Sequence, residues 1–197
     1  MKKFLEDSNI HILEDESVLI NDQFYVIGRK DASLTEKIHE TRKAPAQLTE
    51  KLDRDKPIIM IDHQPKELQE LADAGVDLDL CGHTHNGQTF PGNFTIKLMW
   101  ENPCGLLSKD NMTNITTSGA GVWGPAMRIG TDSEICSINI QLKKSLSTSK
   151  KLFSYSYIIR KQFLFFYHPV PEARKRVFST SDYVSDNCLS TNYAFYP

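Results

Sequence analysis

Pro57-Ile58-Ile59-Met60-Ile61-Asp62-His63-Gln64-Pro65 and, after a short polar segment, Val76-Asp77-Leu78-Asp79-Leu80-Cys81-Gly82-His83-Thr84-His85-Asn86-Gly87-Gln88 decide the fold. Ile58 to Ile61 is a compact apolar run, the pattern of a strand buried on both faces. Pro65 then presets the first turn of a helix over Lys66 to Ala74, which Gly75 caps. Val76 to Cys81 is the next short strand. A strand, helix, strand unit favours parallel strands joined by a right-handed crossover, and in such sheets sites form at the carboxyl ends of the strands. His63 leaves the first strand and His83 and His85 leave the second, so all three are expected on one rim.

Upstream, Ile10 to Leu13, Val18 to Ile20 and Phe24 to Ile27 read as strands at a sheet margin, with Asn21-Asp22 as a hairpin turn. Ser33 to Leu52 reads as two helical pieces divided by Pro45, covering one sheet face. Downstream, Gln88 to Gly124 reads as loop, and the alternation over Glu134 to Leu142 predicts a strand that closes the domain. From Lys143 onward the chain is rich in Ser, Lys and aromatic residues without a clear period. The expected organisation is one domain over residues 1–142 and a poorly ordered basic, aromatic tail over 143–197. No internal repeat is visible.

The 197 residues suffice for one domain with its own core, and 40% hydrophobic and 24% charged residues are ordinary for a globular protein. The net charge of -2 conceals a division: residues 1–142 hold 14 Lys or Arg against 22 Asp or Glu, and residues 143–197 hold nine against three. An acidic body argues against a nucleic-acid partner, whose phosphates are gripped mainly by Lys and Arg. Any weak contact with a membrane surface belongs to the tail, which also carries 12 of the 19 aromatic residues. Cys81, Cys104, Cys136 and Cys188 form no CxxC pair, so reduced thiols are expected rather than a zinc knuckle or disulfide framework. The first residues carry charge without a following apolar run, unlike a signal peptide, and Phe163 to Tyr167 is too short to span a bilayer. The expected location is the cytoplasm, with membrane association through the tail as the alternative.

Gly82-His83-Thr84-His85 sets two imidazoles in a glycine-started turn, where Gly82 gives the tight bend that aims both rings. Imidazole suits Zn, Fe and Mn, and such ions bring bound water toward ionisation at neutral pH. A histidine pair hydrogen-bonded in a surface turn is the competing reading, and His63, arriving on an independent strand, weighs against it. A mononuclear zinc site using His63, His83 and His85 is a further geometric option. His11, His39 and His168 read as ordinary polar residues, and Asp77 and Asp79 as polar sheet-edge positions.

The run Gly82 to Gln88, preceded by Asp62-His63-Gln64-Pro65, resembles the last two motifs of the calcineurin-like metallophosphoesterases, in particular their YkuE-like bacterial branch. Phe90-Pro91-Gly92-Asn93, Ser118-Gly119-Ala120-Gly121, Trp123-Gly124-Pro125 and Arg128-Ile129-Gly130 are similar to that branch as well. The resemblance covers roughly Ile10 to Leu142. It implies an α/β fold, here a partial metallophosphoesterase-type αββα sandwich lacking its N-terminal strands and helices. It also implies two divalent ions (Mn, Fe or Zn), His63 and His83 as ligands of one, His85 as a ligand of the other, and a phosphate mono- or diester as substrate. Asn86 and Arg128 match no catalytic motif and are expected to be structural.

The family's other ligands come from an Asp-x-His, a Gly-Asp-x-x-Asp and a Gly-Asn-His-Glu or Gly-Asn-His-Asp, and none of these occurs in the sequence. Three neutral imidazoles balance two dications poorly without a bridging carboxylate. The expectation is therefore a truncated phosphoester hydrolase, poorly active as this chain alone. An inactive remnant or an interaction module is the alternative.

Overall fold

The computed structural model describes residues 2–33, 39–143 and 152–161. Helix α1 (Lys2–Asp7) leads to the hairpin β1 (Glu16–Ile20) and β2 (Phe24–Gly28). After α2 (Pro45–Thr49) come β3 (Ile58–Ile61), α3 (Leu68–Asp73) and β4 (Leu78–Cys81), then a 3-10 turn at His85–Gly87. Helix α4 (Gly92–Met99), β5 (Gly105–Lys109), β6 (Met112–Thr116), β7 (Glu134–Lys143) and β8 (Leu152–Lys161) follow.

Six strands form one sheet in the order β1-β2-β3-β4-β6-β5. β2, β3, β4 and β6 run parallel, and β1 and β5 pair antiparallel at the two margins. The expected hairpin at Asn21-Asp22 and the parallel unit of β3 and β4 are both present. Ile10 to Leu13 is not a strand, and Leu13 instead packs against the core beneath the sheet. Of the two helical pieces expected over Ser33 to Leu52, α2 begins at Pro45 as anticipated, and residues 34–38 of the first lie outside the described residues.

Each sheet face carries its own core, because alternate side chains point to opposite sides. On one face Ile27, Ile58, Met60 and Met112 meet Leu48 of α2 and Leu68 and Leu71 of α3. On the other, Phe24, Val26, Ile59, Leu78 and Ile115 are covered by Cys136, Ile138 and Ile140 of β7. The alternation over Glu134 to Leu142 is thus a strand, and it lies across a sheet face and pairs with β8 in a second sheet. The expected domain boundary after Leu142 falls inside this strand pair, and residues 162–197 of the tail lie outside the described residues.

Two expectations need correction. Gln88 to Gly124 is not loop throughout, since it contains α4, β5 and β6, and β6 is an interior strand buried along its whole length. Asp79 is not at a sheet edge: β4 lies between β3 and β6, and Asp79 is fully buried. Its Oδ2 accepts from Asn114 Nδ2 at 2.7 Å and from Cys81 Sγ at 3.2 Å. Asn102 Nδ2 donates to Asn114 Oδ1 at 2.6 Å, so the Asn114 amide links Asp79 of the neighbouring strand to the loop before β5.

Helix α3 starts later than Pro65 suggests, because Glu67 sits in the left-handed region (φ 58°) just before it. Glu67 is held there by Arg29 Nη2 at 2.8 Å and Arg42 Nη2 at 3.0 Å. The same arginines reach Asp62 at 3.1 and 3.0 Å. Burial pushes the Asp62 carboxyl up, opposed by the two guanidinium groups, while Glu67 is held below its usual range by them although burial resists ionisation. This network, buried at Arg29 and Asp62 and open at Glu67, locks the exits of β2 and β3 together, immediately beside His63. Helix α3 ends at Gly75, whose left-handed backbone (φ 76°) lets its N–H reach Ala72 O at 2.9 Å.

Candidate metal centre

The four parallel strands deliver their exits to one rim: Arg29 to Asp31 after β2, Asp62 and His63 after β3, Gly82 to His85 after β4, and Thr117 to Gly121 after β6. Backbone bonds tie these exits together, with Gly82 N donating to His63 O at 3.1 Å and Thr117 N to Cys81 O at 2.9 Å. The left-handed residues of the histidine turn are His83 (φ 70°) and His85 (φ 49°), whereas Gly82 contributes the link to His63. Left-handed residues on either side of right-handed Thr84 (φ -69°) turn the chain sharply, and His83 and His85 face different neighbours.

His63 and His83 come together at the rim. Nε2 of His63 and Nδ1 of His83 are 3.0 Å apart, and the rings stand edge to face with centroids at 4.8 Å. Both residues remain solvent-accessible, with the His83 ring partly covered between those of His63 and Trp100. With ligand bonds of about 2.1 Å, two nitrogens at this separation subtend about 90° at a shared ion, so the pair fits one divalent ion between them. Burial first, then the His63 and Lys66 charges, hold His83 below the usual imidazole value, although Asp31 pulls the other way. A neutral ring is the form that ligates metal.

His85 does not join that pair. Its Nδ1 accepts from Arg128 Nη2 at 3.1 Å, and its carbonyl accepts from Arg128 Nη1 at 3.3 Å. Arg128 also donates to the carbonyls of Ser118 at 2.7 Å, Gly119 at 3.0 Å and Gly121 at 2.5 Å. One guanidinium therefore fastens the histidine turn to the β6 exit. Burial and the Arg128 charge hold His85 below the usual imidazole value. Among the described residues no group of three or more His, Cys, Asp or Glu is placed to hold an ion. The three histidines thus divide as two and one, with no carboxylate joining them.

Arg128, expected to be structural, holds the ring and the backbone of His85. Trp100, which no motif marks, meets the ring of His83 with centroids at 5.5 Å, and Gln88 takes a bracing part that its motif does not reveal. Gln88 Nε2 donates to Trp123 O at 2.5 Å and Gln88 Oε1 accepts from Trp123 N at 2.5 Å. Gln88 and Arg128 lie within the short runs that carried the family resemblance, but their partners lie 35 or more residues away in sequence. Beside the histidines an open cleft of about 440 Å³ lies between Pro65 to Leu68 and Met99 to Glu101.

A six-stranded sheet covered by helices on one face and a β layer on the other, with three histidines at the carboxyl ends of its parallel strands, is an α/β architecture consistent with the metallophosphoesterase type. A Campylobacter jejuni protein named as an uncharacterized metallophosphoesterase is 41% identical over 102 residues, covering 50% of this chain and 27% of its own length. A Helicobacter pylori protein of the same description is 33% identical over 144 residues, covering 70% of this chain and 37% of its own. A Danio rerio protein named as a transmembrane protein with metallophosphoesterase domain is 43% identical over 96 residues, 45% of this chain and 21% of its own. The chain belongs to the metallophosphoesterase family, and it spans well under half the length of these curated relatives. No family model matches the chain, and no solved structure does. Among the described residues no helix is long and apolar enough to cross a membrane.

Proposed function

We propose that the chain supplies the histidine part of a two-metal centre that hydrolyses a phosphate mono- or diester, with His63 and His83 on one ion and His85 on the other. The observation that carries this reading is the 3.0 Å approach of His63 Nε2 to His83 Nδ1 at the exits of adjacent parallel strands. The names of the relatives support the reaction class. Divalent ions of the Mn, Fe or Zn kind, when bound, would activate water and offset charge on the phosphoryl oxygens. The chain's own part is to hold and aim: the Asp62 network fixes the His63 exit, and Arg128 and Gln88 fix the turn bearing His83 and His85. The carboxylate ligands that the resemblance implies are not among these 197 residues. The reading takes them to come from further polypeptide, and the genomic sequence upstream of Met1 tests it by encoding, or not encoding, the missing motifs. A weak contact of residues 143–197 with an anionic membrane belongs to the same reading, supported by their basic, aromatic composition.

Titration of the purified chain with Mn²⁺ or Zn²⁺ by calorimetry tests the His pair directly. His63→Ala and His83→Ala are each expected to weaken the ion by at least about a hundredfold, and unchanged affinity in both variants overturns the assignment. A second reading, a non-catalytic interaction module, is favoured by the bond from Arg128 to His85 Nδ1, which satisfies that ring without an ion. Hydrolysis of an aryl phosphate in saturating metal separates the two: turnover that disappears in His83→Ala excludes the module.

A further inference from the structure

We propose that the surface formed by α4 and the loop Thr117–Thr131 beside the histidine rim docks on a lipid bilayer bearing anionic headgroups. Helix α4 has no buried residue, although it carries Phe94, Ile96, Leu98 and Met99 in eight positions. Phe94 is 64% exposed, Leu98 88% and Trp123, on the adjoining loop, 74%. Seven of the twelve exposed large apolar residues among the described residues fall within 90–99 and 123–129. The two segments form one surface: Phe90 N donates to Ile129 O at 2.9 Å, Ile129 N to Gln88 O at 3.0 Å, and Gln88 grips Trp123 on both sides. Apolar patches of this kind on a folded surface mark interaction sites.

Charge selects the occupant. The first 142 residues hold 22 Asp or Glu, yet none lies in 88–100 or in 117–131, where Lys97 and Arg128 are the charged residues. Glu101, next along the chain, is paired with Lys109 at 2.5 Å. An apolar surface with exposed Lys97 in its midst, and with Glu67 and Glu101 only where its Met99–Trp100 end borders the cleft, presents the combination that suits an anionic bilayer interface. A second protein copy would bring the same net-negative body against the first. Trp123 adds an amphipathic ring of the type that settles at headgroup level. The surface adjoins the candidate centre through Trp100, which touches His83.

The chain's only two tryptophans, Trp100 and Trp123, lie on or beside this surface, so their emission reports on it. The full chain is mixed with vesicles of phosphatidylcholine and phosphatidylglycerol in equal parts, with and without brominated acyl chains. The expected result is co-flotation, with blue-shifted emission that the brominated chains quench and that Trp123→Phe largely removes. Phe94→Ser/Leu98→Ser/Trp123→Ser, all at exposed positions, is expected to lower partitioning by at least about tenfold with the circular dichroism unchanged. Lys97→Glu is expected to weaken binding to these vesicles more than to phosphatidylcholine alone. Binding retained in full by the triple variant assigns the contact to the basic tail and overturns the proposal. So does sedimentation showing a dimer that the triple variant dissolves without any vesicle binding by the parent. Neither outcome depends on metal or turnover, so the hydrolase reading stands or falls separately.

Discussion

Asp79 is a fully buried carboxyl inside the sheet with one oxygen left unpartnered. One carboxyl oxygen is engaged by Asn114 and Cys81, and Oδ1 is buried without a hydrogen-bond partner. Burial, and then the nearby Asp62 charge, push its pKa up to about 7, against the donors on Oδ2. The folded chain therefore keeps this proton through a range where the unfolded chain has released it. Folding binds the proton, so stability is greatest at or below about pH 4, falls as the pH rises toward 7, and is level above that. Asp79→Asn removes this slope. In denaturant unfolding at pH 5 and pH 8.5, the parent is expected to lose roughly 2–4 kcal/mol more than the variant between the two conditions. Parallel profiles would mean that the carboxyl is ionised in the fold. The alternation of Asp77 and Asp79 with leucines was visible in the sequence, but the burial of Asp79 was not. It depends on Asn114, 35 residues away, arriving in register on a strand that itself reads as polar.

Among the elements, those that were legible are those whose pattern depends only on themselves. The apolar run of β3, Pro65 and Gly75 around α3, and the Asn21-Asp22 hairpin each state their structure locally. β6 does not, because Met112-Thr113-Asn114-Ile115-Thr116 becomes a buried strand only when Asp79 and Asn102 meet its amide. Helix α4 does not either, since it lacks a core-facing stripe, and it is placed instead by a close approach of backbone. Gly87 has φ 78°, and a Cβ there would lie 2.4 Å from the carbonyl carbon of Gly92. Gly87→Ala is thus expected to cost about 1–3 kcal/mol, from left-handed strain and from displacing α4. Gly121, in the adjoining loop, has open space and no left-handed backbone, so Gly121→Ala is the control and should leave thermal unfolding unchanged. The three candidate ligands were legible as motifs, and so was their common rim. The resemblance also divided them into a pair and a single ring, but the bond that holds the single ring was not legible, because Arg128 reaches His85 from 43 residues away.

At the scale of the molecule, the sheet that carries the rim has two apolar faces, and each needs a cover. The helices were expected to supply one. The other falls to β7, whose Cys136, Ile138 and Ile140 alternate inward over Phe24, Val26, Ile59, Leu78 and Ile115, with Ile135 on the outward side at 44% exposure. β7 also reaches the site: Glu134 at its start accepts from Ser118 N at 2.7 Å, and Glu134 N donates to Gly119 O at 3.1 Å. Ser118 and Gly119 are carbonyl partners of Arg128, so the strand that covers the core also braces the clamp on His85. Burial and the adjacent Glu134 push the neighbouring Cys104 thiol up to about 12, which makes it a poor nucleophile in this corner. If β7 is a structural cover, its two sides must differ in energetic weight. Ile138→Ala is expected to destabilise the chain by roughly 1–3 kcal/mol, the lower part of the range for a core isoleucine because it is half-buried. Ile135→Ala, one face over on the same strand, should stay within about 0.5 kcal/mol of the parent. Equal, small effects at both positions in denaturant unfolding would show that this face of the sheet is covered by something other than β7.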